Sequence, residues 1–290
     1  MLIDTIKKKY DIIKVLGQGS FGRIYEIKDK KVKTEYILKE LTKINDKSLT
    51  ETDKIEYENE INFLKDVNGK NILNIIDYYE DDKDIFYYIV LEKMDGDLEK
   101  MVNEKYKNGM SSNLIRKIFS QINSGLKELR KREICHRDLK PSNILYSYIN
   151  DEKTNFIIKL GDFGLSTNLK NTQYASNVGT NLFKAPEVEE GKYSDKCDLY
   201  SIGIILYYLK TGEYIFDGKR ELDILNNKDK NIIKKDTDDE ILNKLIRKLV
   251  KKDPHERMEW DDYFNDPFFK VNDEDIKKNV ECKIKILILK

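Results

Sequence analysis

Cysteine, proline, long apolar runs and an excess of either charge are all scarce or missing in this 290-residue chain. Three cysteines, Cys135, Cys197 and Cys282, are too few and too scattered for a disulfide framework or a zinc site, and they suit a reducing compartment. Four prolines leave little room for a Pro/Ser-rich linker, and no internal repeat is present. Lys plus Arg and Asp plus Glu number 53 each, so no dominant nucleic-acid or membrane-surface field is expected even though 37% of residues are charged. Most of those charges read as solvated surface. No window approaches the roughly 18 uninterrupted apolar residues of a membrane span. The opening Met1-Leu2-Ile3-Asp4 places an acid in a very short apolar stretch ahead of Lys7, Lys8 and Lys9, which is not the order of a secretory signal. Together these absences predict a cytoplasmic protein, with the nucleus left open, that binds no nucleic acid and has no membrane span. The length does allow a sizeable core and two lobes.

What is present divides the chain by periodicity. Ile12, Ile13, Val15 and Leu16 read as a strand entering a glycine turn, Ile24, Tyr25 and Ile27 as its return, and Tyr36 to Lys39 as a third strand. Ile55, Ile61, Phe63, Leu64 and Val67 recur near helical spacing, and residues 72–79 and 85–91 supply two more strands. Beyond about Asp97 the period turns helical. Leu114, Ile115, Ile118, Phe119, Ile122, Leu126 and Leu129 form one long stripe, residues 200–209 are apolar enough for a buried central helix, and Ile241, Leu242, Leu245, Ile246 and Leu249 make an amphipathic one stopped by Asp253-Pro254. Strands first and helices after predict an α+β protein of two unlike lobes.

Chemistry concentrates in two places. In His136-Arg137-Asp138-Leu139-Lys140-Pro141-Ser142-Asn143 an acid, a cation and a carboxamide share one short loop, able to serve a proton, a phosphate and a metal. Asp162-Phe163-Gly164 then puts a second acid on a turn after the apolar run 156–160. Upstream, Gly17-Gln18-Gly19-Ser20-Phe21-Gly22 has a spacing shared by dinucleotide folds, by triphosphate-covering turns and by plain Gly-rich hairpins. Arg23 to Lys28 alternates like a strand, whereas a dinucleotide fingerprint opens a helix, which favours a turn whose backbone N–H groups face phosphate oxygens.

In this order and spacing the motifs resemble those of the eukaryotic protein kinase superfamily, serine/threonine branch, from about Tyr10 to Phe269. The resemblance implies a bilobal kinase-like fold with an N-lobe over residues 1–93, a helical C-lobe over 94–270 and a tail over 271–290. It implies transfer of the γ-phosphate of Mg²⁺-ATP, with Mn²⁺ a possible substitute, to Ser/Thr hydroxyls of a protein substrate. Asp138 would orient the hydroxyl and take its proton, Lys140 would neutralise the γ-phosphoryl group, and Asn143 and Asp162 would ligate the metal. Lys39 would reach the α- and β-phosphates, held by an acid of the following helix. Glu60 is chosen for that acid, with Glu56 and Glu58 as neighbours. For adenine, Leu91 guards the back pocket, Glu92 and Met94 lie in the hinge, Leu145 is the floor, Ile24 the roof, and Asp97 reaches the ribose. His136 reads as a packing residue, and Cys135 beside it is not a thiol–imidazole dyad.

Some positions depart from the family pattern. Ile37 stands where a small alanine is usual and should narrow the adenine pocket. Phe183 replaces a common tyrosine ahead of Ala185-Pro186-Glu187, and Tyr200 a common tryptophan. These three favour the alternative of a pseudokinase scaffold that acts by binding. Lys140 and Gly179-Thr180 point to serine/threonine substrates, with Thr180 bonding Asp138 and Lys140. Glu187 is expected to pair with Arg257, and Asp198 to anchor the catalytic loop. Arg137 before Asp138 implies control by an upstream kinase, the candidate hydroxyls being Ser166, Thr167, Thr172, Tyr174 and Ser176, the last preferred. Residues 257–268 resemble autophagy-initiating kinases, while 161–165 and 178–180 match stress-response kinases equally, so no subfamily is assigned. In residues 280–290, Ile284, Ile286, Leu287, Ile288 and Leu289 are apolar, but the run is too short to span a bilayer and is expected to pack as a strand or helix.

Overall fold

The computed structural model describes residues 4–19, 22–42, 58, 61–62, 65, 67, 69–80, 86–163, 167–168, 182–189, 194–216 and 234–270. Glu60, Ser20, Phe21, Thr180, the activation-segment hydroxyls other than Thr167, and the tail lie outside them. The chain divides into two compact units. One takes Met1–Leu98, Gly125–Asp138 and Ser142–Val178, the other Glu99–Ser124, Leu139–Pro141 and Gly179–Lys290.

Strands dominate the first unit. β1 (Tyr10–Gly19), β2 (Gly22–Asp29), β3 (Glu35–Thr42), β4 (Ile75–Glu80) and β5 (Phe86–Glu92) form one antiparallel sheet in the order β1-β2-β3-β5-β4. Side chains alternate between faces along a strand, so the register sorts them. Tyr25, Ile27, Leu38, Tyr88 and Val90 share a face and are buried together with Ile6 and Tyr10, with Tyr36 and Tyr79 packed against them. Ile24, Ile37, Lys39, Ile89 and Leu91 take the other face. A smaller sheet joins β6 (Gly96–Asp97), β8 (Ile144–Tyr148) and β9 (Phe156–Leu160), while β7 (Ile134–Cys135) pairs with β10 (Thr167–Asn168).

One expected strand is shorter than its sequence implied. The strand read from residue 72 begins only at Ile75. Residues 71–73 serve β9 instead: Leu160 N–H donates to Asn71 O at 2.9 Å, Leu73 N–H donates to Leu160 O at 2.8 Å, and Asn71 Nδ2 donates to Ile158 O at 2.7 Å.

The helix α1 (Asp4–Lys9) was not foreseen, and it closes the buried face of the large sheet with Ile6. Lys9 Nζ donates to Asp77 Oδ2 at 2.6 Å, and Tyr79 OH donates to the same oxygen at 2.6 Å. Burial works to raise the Asp77 pKa, but the Lys9 and Tyr79 hydrogen bonds prevail and hold it below its ordinary 3.8. A depressed carboxyl contributes its stability above the unfolded value and loses it as the pH falls toward the folded one. Asp77→Asn is therefore expected to cost about 1 kcal/mol near pH 7, a discounted figure for a partly exposed pair. The difference in thermal midpoint between variant and wild type should narrow steadily below about pH 4; a constant difference down to pH 3 would contradict this pairing.

Helices dominate the second unit, which takes most of α2 (Leu98–Lys105), the first part of α3 (Ser112–Lys131), then α4 (Pro186–Glu189), α5 (Cys197–Thr211), α6 (Glu240–Leu249) and α7 (Trp260–Phe264). As its composition required, α5 is buried without interruption from Cys197 to Leu209. Gly203 permits α5 to approach the end of α6, because a Cβ there would lie 2.6 Å from Val250 Cγ2. Asp239 caps α6, accepting from Ile241 N–H and Leu242 N–H at 3.0 Å each. No helix among the described residues is long and apolar enough to cross a membrane.

Candidate active site

The glycine-rich segment joins two antiparallel strands. Gly17 pairs with Ile24, Gln18 with Arg23 and Gly19 with Gly22. A dinucleotide fingerprint would enter a helix, so that alternative falls and two paired antiparallel strands remain.

Lys39 lies mid-strand in β3, opposite Ile24 and Ile89. Because its neighbour Leu38 enters the closed core, Lys39 projects to the other face, and its Nζ donates to Asp162 Oδ1 at 3.2 Å. Asp162 follows β9 through Gly161 and adopts φ +62°, a left-handed conformation that aspartate tolerates better than most residues. Such backbone costs of order 1–3 kcal/mol and persists where its surroundings fix it. Here His136 Nε2 meets Gly161 O at 3.1 Å, its ring lies 4.9 Å from that of Phe163, and Gly161 N–H donates to Asn143 O at 3.0 Å. His136 is fully buried, in keeping with a packing role.

Asn143 also reaches the loop acid. Its Nδ2 donates to Asp138 O at 2.8 Å and to Asp138 Oδ2 at 3.0 Å. A flipped amide would set oxygen against oxygen, so this orientation follows from the partners. With both amide hydrogens committed to Asp138, Asn143 Oδ1 is left as an acceptor. An amide oxygen and the half-exposed Asp162 carboxylate form a set of hard oxygen donors that fits a divalent cation such as Mg²⁺. Lys140 stands two residues past Asp138 on the same loop, half-buried.

Of the residues expected around a base, Ile37 pairs with Leu91, and Leu145 with Asp97. Ile24, Ile37, Glu92, Met94, Asp97 and Leu145 are half-buried and Leu91 is buried. The side chain of Glu92 does more than a hinge backbone requires: its Oε1 accepts from Lys159 Nζ at 2.5 Å and from Asn74 N–H at 2.7 Å. Lys159 escaped the sequence reading; the available signal was a charge inside the apolar run 156–160. Glu60, Ser20 and Phe21 cannot be placed against these residues because they lie outside the described ones.

In the second unit, Glu187 and Arg257 do pair, bidentately at 2.6 and 2.8 Å, and Tyr200 lies with its ring centre 5.1 Å from the guanidinium carbon. Phe183 packs edge-on against Tyr208 and Tyr214, and its carbonyl accepts from Ser201 Oγ at 2.8 Å. Asp198 is buried at the start of α5.

A protein kinase domain model matches residues 10–269. The chain is 36% identical over 224 residues to calcium-dependent protein kinase 4 of Plasmodium falciparum, covering 76% of this chain and 41% of that protein. It is 31% identical over 276 residues to serine/threonine-protein kinase atg1 of Dictyostelium discoideum, covering 93% and 40%. It is 35% identical over 214 residues to serine/threonine-protein kinase Nek5 of Homo sapiens, covering 72% and 29%. The chain thus spans about two fifths or less of the length of these curated relatives. With strands and helices distributed as that fold requires, the chain belongs to the eukaryotic protein kinase superfamily, in its serine/threonine branch.

Proposed function

We propose that the chain transfers the γ-phosphate of ATP to serine and threonine hydroxyls of protein substrates. The observation that carries this reading is the hydrogen-bonded circuit from Asp138 through Asn143 to Gly161, with Asp162 next in sequence and in contact with Lys39. We read residues 1–93 as the N-lobe, 94–270 as the C-lobe and 271–290 as a tail.

Each residue has a distinct task. Asp138, held by the Asn143 amide, orients the substrate O–H and takes its proton as oxygen bonds to the γ-phosphorus and the bond to the β-phosphate oxygen breaks. Lys140 neutralises charge on the phosphoryl group in transit. Lys39 exchanges its Asp162 contact for the α- and β-phosphates, assisted by Glu60. Asn143 Oδ1 and Asp162 hold Mg²⁺, which when bound neutralises phosphate charge and orients the leaving group. Residues 17–22 close over the triphosphate with backbone N–H groups. Ile24, Ile37, Leu91 and Leu145 enclose the base, Glu92 and Met94 meet its edge through backbone groups, and Asp97 reaches the ribose. Arg137 receives a phosphate placed on the 164–179 segment by an upstream kinase.

The experiment is transfer of labelled phosphate from ATP with Mg²⁺ to a generic basic protein, followed by phosphoamino-acid analysis. Label on serine or threonine is expected; none, even after treatment with activating kinases, would sink the reading. The scaffold alternative draws on one observation, the branched Ile37 side chain half-buried on the face shared with Lys39. Ile37→Ala should lower the KM for ATP severalfold with little change in kcat, because relieving overpacking is worth about 1 kcal/mol. An unchanged KM would mean that the pocket already accommodates the larger residue.

A further inference from the structure

We infer that Lys159 is a positioning residue for the base end of the nucleotide site, acting through Glu92. The inference rests on the kinase reading and adds a residue to it. Lys159 is only 7% exposed, and an ammonium so enclosed is costly unless paired. Its partner is the carboxylate of Glu92, 2.5 Å away, whose Oε1 also accepts from Asn74 N–H. Glu92 N–H in turn donates to Asn74 O at 3.2 Å, so the last residue of β5 is held by backbone and side chain together. β9 runs through Gly161 into Asp162, and β5 runs directly into residues 93–94. One carboxylate therefore ties the strand that carries the metal-turn acid to the segment that meets the base. Lys159 pairs in register with Leu145, and Leu145 with Asp97, which sets the ammonium on the face that carries the pocket floor.

The next residue is tied as well, from the other sheet. Lys93 Nζ lies 2.8 Å from Glu26 Oε1 and 2.8 Å from Glu35 Oε2. Residues 92 and 93 are thereby braced by β9 on one hand and by β2 and β3 on the other, which fixes the backbone between them without any contact to a ligand.

The test compares wild type, Lys159→Met, Lys159→Arg and Lys93→Met. Lys159→Met keeps the stem and removes the charge. KM for ATP should rise about tenfold, the weight of one misplaced hydrogen bond, while kcat at saturating ATP stays within about twofold. Competitive inhibition by inorganic tripolyphosphate, which has no base, should be unchanged. Lys159→Arg should keep the wild-type KM, and Lys93→Met, at a more exposed position that spares the fold, should raise it a few-fold. An unchanged KM in Lys159→Met overturns the inference, whatever Lys93→Met does. So does a joint fall of kcat, ATP affinity and tripolyphosphate affinity, which marks a merely structural role. If wild type transfers no phosphate, the kinase reading falls separately, and calorimetric ATP binding carries the same comparison: tenfold weaker in Lys159→Met supports the tie, equal or absent binding in wild type and variant overturns it.

Discussion

Replacing Asp162 with asparagine is expected to reduce phosphate transfer from ATP by about a thousandfold or more while leaving the fold in place. The substitution keeps shape and suits the backbone, since asparagine shares with aspartate its tolerance of φ near +62°. What disappears is the negative charge. With the Asn143 donor already neutral, a second amide leaves the proposed pair of metal ligands without a charge to hold Mg²⁺, and Lys39 loses the acid that sits 3.2 Å from its ammonium. The stability effect should be small, because the pair is partly exposed, with Asp162 at 47%, and such pairs contribute about 0–1 kcal/mol. Asp138→Asn should be equally inactive for another reason. Its new NH₂ group either meets the Asn143 Nδ2 donor or turns away from it, and in neither case does a base remain to take the hydroxyl proton. Initial rates of labelled transfer, with thermal unfolding alongside, decide the matter. Wild-type rates in either variant would remove that acid from the mechanism, whereas loss of activity together with loss of fold would leave catalysis unaddressed and require Asp162→Ser as a further probe.

The parts of this protein that could be read from sequence are those whose partners lie close along the chain. Asp138 and Asn143 are five residues apart and hydrogen-bond directly, so spacing alone implied a shared site. Alternation likewise anticipated β2 and β3, since two-residue periodicity survives whatever packs on either face. Long-range pairings left no such trace in spacing, and Glu187 with Arg257, 70 residues apart, was legible only through the family resemblance. Glu92 and Lys159 are 67 residues apart, and Lys9 and Asp77 are 68 apart, so each pair exists only because separate strands or a strand and a helix come together. The short α1 was missed because one apolar residue, Ile6, carries its burial and gives no periodicity. Residues 72–73 misled for the opposite reason: both are apolar enough for a strand, but Ile72 N–H donates to Gly69 O and Leu73 N–H to Leu160 O of β9 rather than to β5. Ile37 was legible as an oddity, yet its meaning depends on what occupies its face of the sheet.

Arg257→Met should destabilise the protein by about 3–5 kcal/mol, the cost of leaving one member of a buried ion pair without its partner. The Arg257 side chain is fully enclosed and that of Glu187 is 8% exposed. Beyond its two bonds to Glu187, the guanidinium donates to Lys196 O at 2.9 Å, to Lys251 O at 3.0 Å and to Lys252 O at 3.3 Å. Every donor of the fork is thus used, and the plane also sits beside Tyr200, where a cation–aromatic contact adds to the loss. Methionine fills much of the volume but leaves the buried Glu187 carboxylate without its partner and removes the bonds to three carbonyls, so the penalty comes from lost polar partners rather than from a cavity. The double variant Glu187→Leu with Arg257→Met should recover part of it, because removing both charges also removes the desolvation cost of each. Urea unfolding followed by tryptophan fluorescence reads this locally, since Trp260 is the chain's single tryptophan and its Nε1 donates to Asp195 O, one residue before Lys196. Arg257→Met unfolding at the wild-type urea concentration would show that this pair, however well formed, contributes nothing net. A double variant no better than the single would show instead that the three carbonyls, and not Glu187, set the cost.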